Sequence, residues 1–473
     1  MTLSTRGSIL VDEYGRQRVL HGINLVDKGR PGSTDPRDFQ GSWSERDLDQ
    51  LVEIGLDAVR LGVLWAATEP EPGKYSEQHL GWIGQQLDLM HQRGLAVILD
   101  GHQDLYSQAH SDGAPPWATL TDHPFEATEL WSDAYLTSPA VHEAYDAFWA
   151  DALAADGVGI QTRYVALWGM LAQRFGDHPA VIGYDVLNEP TLGAASAEVF
   201  GALIGAFAEA TEQDPTQVFA DFEVPERKLA QLAHLEDPAV HRRIGDTIAP
   251  LLTGFEQEQV HGLYQRIVAA IREHDREGLI LREHDYFANI GIPVAIDVLE
   301  DHAWAYSPHG YDLVLDTEAM PLASNQRVET IFARAQETAQ RLDVPVLVGE
   351  WGAFDAHRGI ARHADHQLEL FDRWGWSWFY WCWIEGFADT EAAARLRRPR
   401  PVAIAGEDAQ WGTGPDGWQA TWYGSGGDVP SIFWIPEELD VELLVDDHPA
   451  DLARDGAVVR IGPVEGEHLL RVV

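Results

Sequence analysis

The sequence predicts an α/β protein: a (β/α)8 barrel followed by a C-terminal β-sandwich. Three observations carry that reading. Short, nearly continuous apolar runs, such as 95–100 (LAVILD) and 181–187 (VIGYDVL), have the composition of strands covered on both faces. Helix-like segments alternate with them, the pattern of a parallel sheet with covering helices. The chain of 473 residues also has room for a barrel, about 250 to over 400 residues, and a small appended domain.

The elements follow in order. Residues 18–26 read as the first strand and 57–65 as the second. Between them Ser44 is a helix N-cap, with Glu45 and Asp47 in the first turn and Leu48, Leu51 and Val52 on one face. A helix from Tyr75 ends at Gly94, a residue suited to the left-handed C-cap. Strand three is 95–100. A long Pro-, Asp- and aromatic-rich segment follows, an insertion at about 105–160 that the barrel rule places over the active face. A helix over 162–176 leads to strand four, which ends at Glu189. A second insertion, about 196–262, carries more helices than one crossover needs. Strands five (279–283) and six (302–306), a helix at 325–341, strand seven (345–351), a helix at 360–374 and strand eight (376–381) complete a TIM barrel over 1–395. The proline-punctuated 397–401 marks a boundary. Beyond it, 396–473 holds short alternating runs separated by turns, a β-sandwich pattern.

Bulk composition excludes several classes. With 33 basic and 76 acidic residues the chain carries −43, a surface that repels nucleic acid and anionic membranes. One cysteine, Cys382, leaves no intrachain disulfide and reads as an inert core thiol inside a probable strand. No apolar run is long enough to span a bilayer. The start, MTLSTR, has no signal-peptide core, so the protein is expected to be cytoplasmic, or secreted with its leader removed. A monomer is the default expectation.

The chemistry is expected where strands end. Glu189 and Glu350 each close a buried strand, and a carboxylate there is costly unless it is used. Singly, either could cap a helix or meet an arginine. As a pair at one barrel mouth they match the acid and nucleophile of retaining glycoside hydrolysis, about 5–5.5 Å apart. Arg60 can lower a neighbouring carboxylate's pKa and fix its orientation. His102 offers a donor to sugar hydroxyls, His309 and Tyr311 can bond one carboxylate each, and Trp381 can form an apolar floor for a pyranose. This chemistry needs no metal or other cofactor, and the 20 histidines show no ligand-spaced cluster beside a carboxylate pair.

At these positions the chain resembles glycoside hydrolase family 5 across about residues 18–390. Asn188-Glu189-Pro190 resembles the family's acid/base triplet, and Glu350 its nucleophile. Arg60, His102, Asn188, His309, Tyr311 and Trp381 match the other family positions, and the resemblance implies that Asn188 bonds the sugar 2-hydroxyl. A closer similarity is to the bacterial endoglycoceramidases of that family. It rests on His21-Gly22-Ile23-Asn24 with Lys28, on His102-Gln103-Asp104-Leu105-Tyr106 and on Gly113-Ala114-Pro115-Pro116-Trp117-Ala118. It implies that Lys28 and Asp104 contact the sugar beside the cleaved bond, and that the substrate is a glycosphingolipid at a detergent or micelle surface. The alternatives are an endo-β-1,4-glucanase or mannanase of the same family, or a barrel that binds carbohydrate without turnover. For the first reading Leu203, Ile204 and Phe207, at helical spacing, are candidate walls of a lipid groove. They serve equally well to pack the insertion onto the barrel.

Overall fold

The computed structural model describes residues 1–222 and 224–472. Glu223 of the expected insertion and Val473 of the expected sandwich lie outside the described residues. The central element is a curled parallel sheet whose strands follow chain order: β1 (His21–Leu25), β2 (Ala58–Gly62), β3 (Ala96–Asp100), β4 (Val181–Asp185), β5 (Leu279–Arg282), β6 (Trp304–Tyr306, continued by His309–Gly310), β7 (Leu347–Gly352) and β8 (Ser377–Trp381). Every residue of β1 to β5 is buried, which is why the runs lack apolar–polar alternation. β6 is interrupted at Ser307-Pro308, where proline brings no N–H to the ladder. Its first piece pairs with β5, its second with β7, and Tyr306 bridges to Val346. Both ends of the sheet therefore meet at this one broken strand.

Helices cover the outside. Glu45–Glu53 opens with a capping box between Ser44 and Asp47. Glu77–Gln92 starts from the Ser76 cap and is followed by Gly94 at φ +72°. Ile160–Phe175, His261–Arg272, Asn325–Leu342 and Ala361–Trp374 continue the layer. The long segment after β3 contains its own helix, Pro139–Trp149. After β4, helices Ala195–Thr211, Pro215–Phe222, Pro225–Leu232 and Pro238–Gly254 stand before the covering helix.

Three expectations differ from the structure. The expected first strand, 18–26, is two: Gln17–Arg18 turns away from β1 and pairs with Arg400–Ile404. Leu3–Arg6 and Ile9–Asp12 extend that same C-terminal sheet, so the chain's start pairs its strands with the end of the chain while its side chains also pack against the barrel-like sheet. The reason is visible in the packing. Leu3 and Leu10 plug the bottom of the curled sheet beside Leu20, Ala58 and Leu279, while Val19 joins Trp418 and Phe433 in the other core. Cys382, expected inside a strand as a core thiol, lies one residue beyond the end of β8 at Trp381 and is half-buried, its thiol pushed up to about 12 by burial. Among the described residues the C-terminal part, joined by the three N-terminal strands, forms two antiparallel layers, of seven and five strands, around a tryptophan-rich core. Gly417–Ser425 alternates inward Trp418, Ala420 and Trp422 with outward polar residues.

Candidate active site

The C-terminal ends of β1, β3, β4, β5 and β7 converge on one buried guanidinium. Arg60 of β2 reaches Asp100 at 2.8 Å, Asp185 at 3.0 Å, Glu283 at 3.0 Å and Glu350 at 2.8 Å. It also donates to the amide oxygens of Asn24 at 3.0 Å and Asn188 at 2.9 Å. A buried arginine survives only when its donors are matched, and here the ends of neighbouring strands supply the acceptors.

Glu350, within β7, accepts from Arg60 on Oε1 and from the Tyr311 hydroxyl on Oε2 at 2.6 Å. Burial raises its pKa to about 7, against the pull of His309 and Arg60. Glu189, beyond β4, accepts from Asn289 Nδ2 at 2.6 Å and lies 3.0 Å from His309 Nδ1. Burial, and then Asp104, raise it to about 8. One carboxylate oxygen of each glutamate and a His309 ring nitrogen all lie within 4.8 Å of one another. Such proximity suits direct attack of one carboxylate on a sugar carbon while the other transfers a proton.

The remaining sequence-derived residues ring this pair. Asn188 donates to the Gln103 carbonyl at 3.0 Å, which fixes its amide. His102 bonds Asp100 through Nδ1 at 3.0 Å and stacks on Trp381, ring centres 5.0 Å apart and 15° from parallel. Burial lowers its pKa, so the imidazole is neutral. Lys28, from the loop after β1, bonds Asp104 and lies 3.5 Å from Asp112. Its ammonium sits 5.1 Å from the Trp381 ring centre and 5.7 Å from that of Trp131, within cation–π reach.

The structure brings together three His/acid groups that the sequence separates: His102, Asp104 and Asp112; Asp185, Glu283 and His309; Glu189, His309 and Glu350. Such gatherings can hold a metal ion. In the first the Lys28 ammonium already supplies the cation, and the other two lie against Arg60.

Sequence reasoning missed four contributors. Glu283 closes β5 as Glu189 closes β4, so the same strand-exit signal marked it. Asn289 and Tyr286 come from a short turn capped by Asp285, and Trp131 from the long segment after β3; composition does not single these out. Beside the pair opens a cavity of about 1080 Å³. Glu189, Glu350 and Trp381 line one side, and Leu203, Ile204, Phe207 and Phe219 of the inserted helices the other.

Residues 28–386 match the family model described as "Cellulase (glycosyl hydrolase family 5)". The chain belongs to glycosyl hydrolase family 5. This family 5 chain is 35% identical over 210 residues to Endoglycoceramidase I of Rhodococcus hoagii (strain 103S), covering 42% of this chain and 39% of that protein. It is 31% identical over 209 residues to the Endoglycoceramidase of Cyanea nozakii, covering 39% and 40%. The matched stretch thus spans about two fifths of each relative's length. The fold is similar to that of Endo-glycoceramidase II from Rhodococcus sp., solved as a ganglioside GM3 complex, with a TM-score of 0.74 over 99% of both chains at 24% identity. Among the described residues of this family 5 chain, no helix is long and apolar enough to cross a membrane.

Proposed function

We propose that the protein is a retaining endo-β-glycosidase that cleaves between the oligosaccharide and the ceramide of glycosphingolipids, releasing the intact glycan. The observation that carries this reading is a closely spaced carboxyl pair opening directly onto a large cavity with an apolar wall. A cleft for soluble polysaccharide needs no such wall. The names of the two relatives, and the ganglioside bound by the structural neighbour, support the same substrate class.

In this reading Glu350, ionised and held by Arg60 and Tyr311, attacks the anomeric carbon. Glu189 gives its proton to the oxygen that leaves with ceramide. The covalent glycosyl-enzyme is then opened by water. Glu189, now the base, takes the water's proton, and the glycan departs with Glu350 restored. Trp381 stacks on the sugar beside the cleaved bond, His102 and Asn188 bond its hydroxyls, and Lys28 and Asp104 contact that same sugar. The reading takes the curled sheet as a closed (β/α)8 barrel, the C-terminal layers as a β-sandwich, and the protein as a monomer at a micelle or detergent surface.

A panel of glycolipids in detergent tests the proposal by chromatography of the products. Intact glycan and free ceramide are expected. Stepwise release of monosaccharides, or turnover of carboxymethylcellulose or mannan but of no glycolipid, overturns it.

A further inference from the structure

Glu189 occupies a backbone conformation that side chains rarely adopt, with φ at +44°. A non-glycine residue stays there only where its surroundings over-determine it. Its amide N–H donates to Oε2 of Glu283 at 2.7 Å. The other oxygen, Oε1, accepts from Arg60 at 3.0 Å and lies 3.4 Å from His309 Nε2. His309 in turn sets Nδ1 3.0 Å from the Glu189 carboxyl. Glu283 therefore bonds this residue at its backbone, while its other oxygen lies near the imidazole that faces the Glu189 carboxyl.

A plain counter-ion role for Arg60 does not account for Glu283. Asp100, Asp185 and Glu350 already surround that guanidinium, so a fourth acid adds surplus charge to a fully buried cluster. The groups facing Glu283 are Arg60 of β2, Asp185 of β4, His309 of β6 and Glu350 of β7. Its own N–H donates to the Tyr264 hydroxyl at 3.1 Å. Burial and Asp185 drive its carboxyl well above the ordinary range, with Arg60 opposing. A residue so costly to bury needs a return, and the chemistry proposed above makes no use of it.

We propose that Glu283 is a positioning residue for Glu189, holding its strained backbone through the N–H so that the acid faces the leaving oxygen. This rests on the reading of Glu189 as the acid/base. Glu283 touches no reacting atom. Its removal should therefore damage only those substrates whose leaving group needs a proton.

Glu283→Gln tests this. The amide keeps the shape and one acceptor but aims an N–H₂ either at Arg60 and His309 or at the Glu189 N–H. The measurement is kcat/KM on two substrates with the same glycone, an alkyl glycoside and a 2,4-dinitrophenyl glycoside, across pH. A fall of about 10- to 100-fold is expected for the alkyl substrate, part of what general acid catalysis supplies, and under about threefold for the dinitrophenyl substrate. The alkaline limb for the alkyl substrate should also move. Equal losses on both substrates, or none on either, overturn the proposal. Should the glutamine variant fail to fold by circular dichroism, Glu283→Asp keeps the charge and withdraws it by one methylene; there too a selective loss supports the role and an equal loss overturns it. Glu189→Ala with azide tests the underlying reading separately. Rescue to a β-glycosyl azide without selective loss at Glu283 overturns the positioning role alone. A folded Glu189→Ala that azide does not rescue overturns the acid/base reading, and the positioning role with it.

Discussion

Two carboxyl groups in one buried site are driven up in pKa together, yet they differ in what surrounds them. Glu350 has a guanidinium and a phenol directed at its oxygens, whereas Glu189 has a neutral amide, an imidazole and the nearby charge of Asp104. The difference sets the order of ionisation, Glu350 at about 7 and Glu189 at about 8. The nucleophile must be ionised and the acid protonated, so kcat/KM should rise as pH climbs through about 7 and fall through about 8. A pH-rate profile on a glycolipid checks this; a maximum well on the acid side would contradict it. With a dinitrophenyl glycoside the alkaline limb should fade, because that leaving group needs no proton. The glutamates themselves were legible in the chain from their strand exits, but their pKa order was not. It depends on Tyr311, Asn289 and Asp104, which come from three different loops.

At the scale of elements, the helices between β4 and its covering helix turn the mouth of the curled sheet into a cavity lined in part by apolar side chains. Ile204 and Phe207 are buried, Leu203 is half-buried, and Phe219 is 46% exposed at the same cavity. Phe207 also packs edge-on against Phe222, ring centres 5.5 Å apart, so it holds the insertion together as well as lining the cavity. Leu203 is the cleaner probe. Leu203→Asp should raise KM for a glycosylceramide about tenfold, the equivalent of roughly 1.5 kcal/mol of lost apolar contact, and leave soluble aryl glycosides unchanged. Equal harm to both substrates would mean that Leu203 serves the fold rather than the lipid. The insertion was visible in the sequence as surplus helical periodicity. Which faces look into the cavity was not, because 3.6-residue spacing reports an apolar face without naming what covers it.

For the whole molecule, the N-terminal strands tie the C-terminal layers to the floor of the barrel-like sheet. Arg400 donates through Nε to the Gly55 carbonyl at 2.7 Å, and the Trp434 ring lies against Gly55, which sits at φ +93°. A chain ending at Leu396 would strip Gln17–Arg18 of one of its two partner strands and expose Val19, which packs in the C-terminal core. It should aggregate, or melt well below the full chain in differential scanning calorimetry, and a truncated protein with unchanged Tm would refute that coupling. The sequence by itself determined the strand and helix alternation, the order of the eight strands and two glutamates toward the C-terminal ends of buried strands. These are local signals, since burial on both faces of a strand and the period of a helix are written in consecutive residues. Tertiary structure alone decided the rest. The opening strands pair with the other end of the chain, Lys28 settles between Asp104 and Asp112, and Glu189 comes within 4.8 Å of Glu350 across 161 residues of sequence. Those distances, and the pKa shifts that depend on them, arise only when the curled sheet brings its ends together and removes water from what lies between.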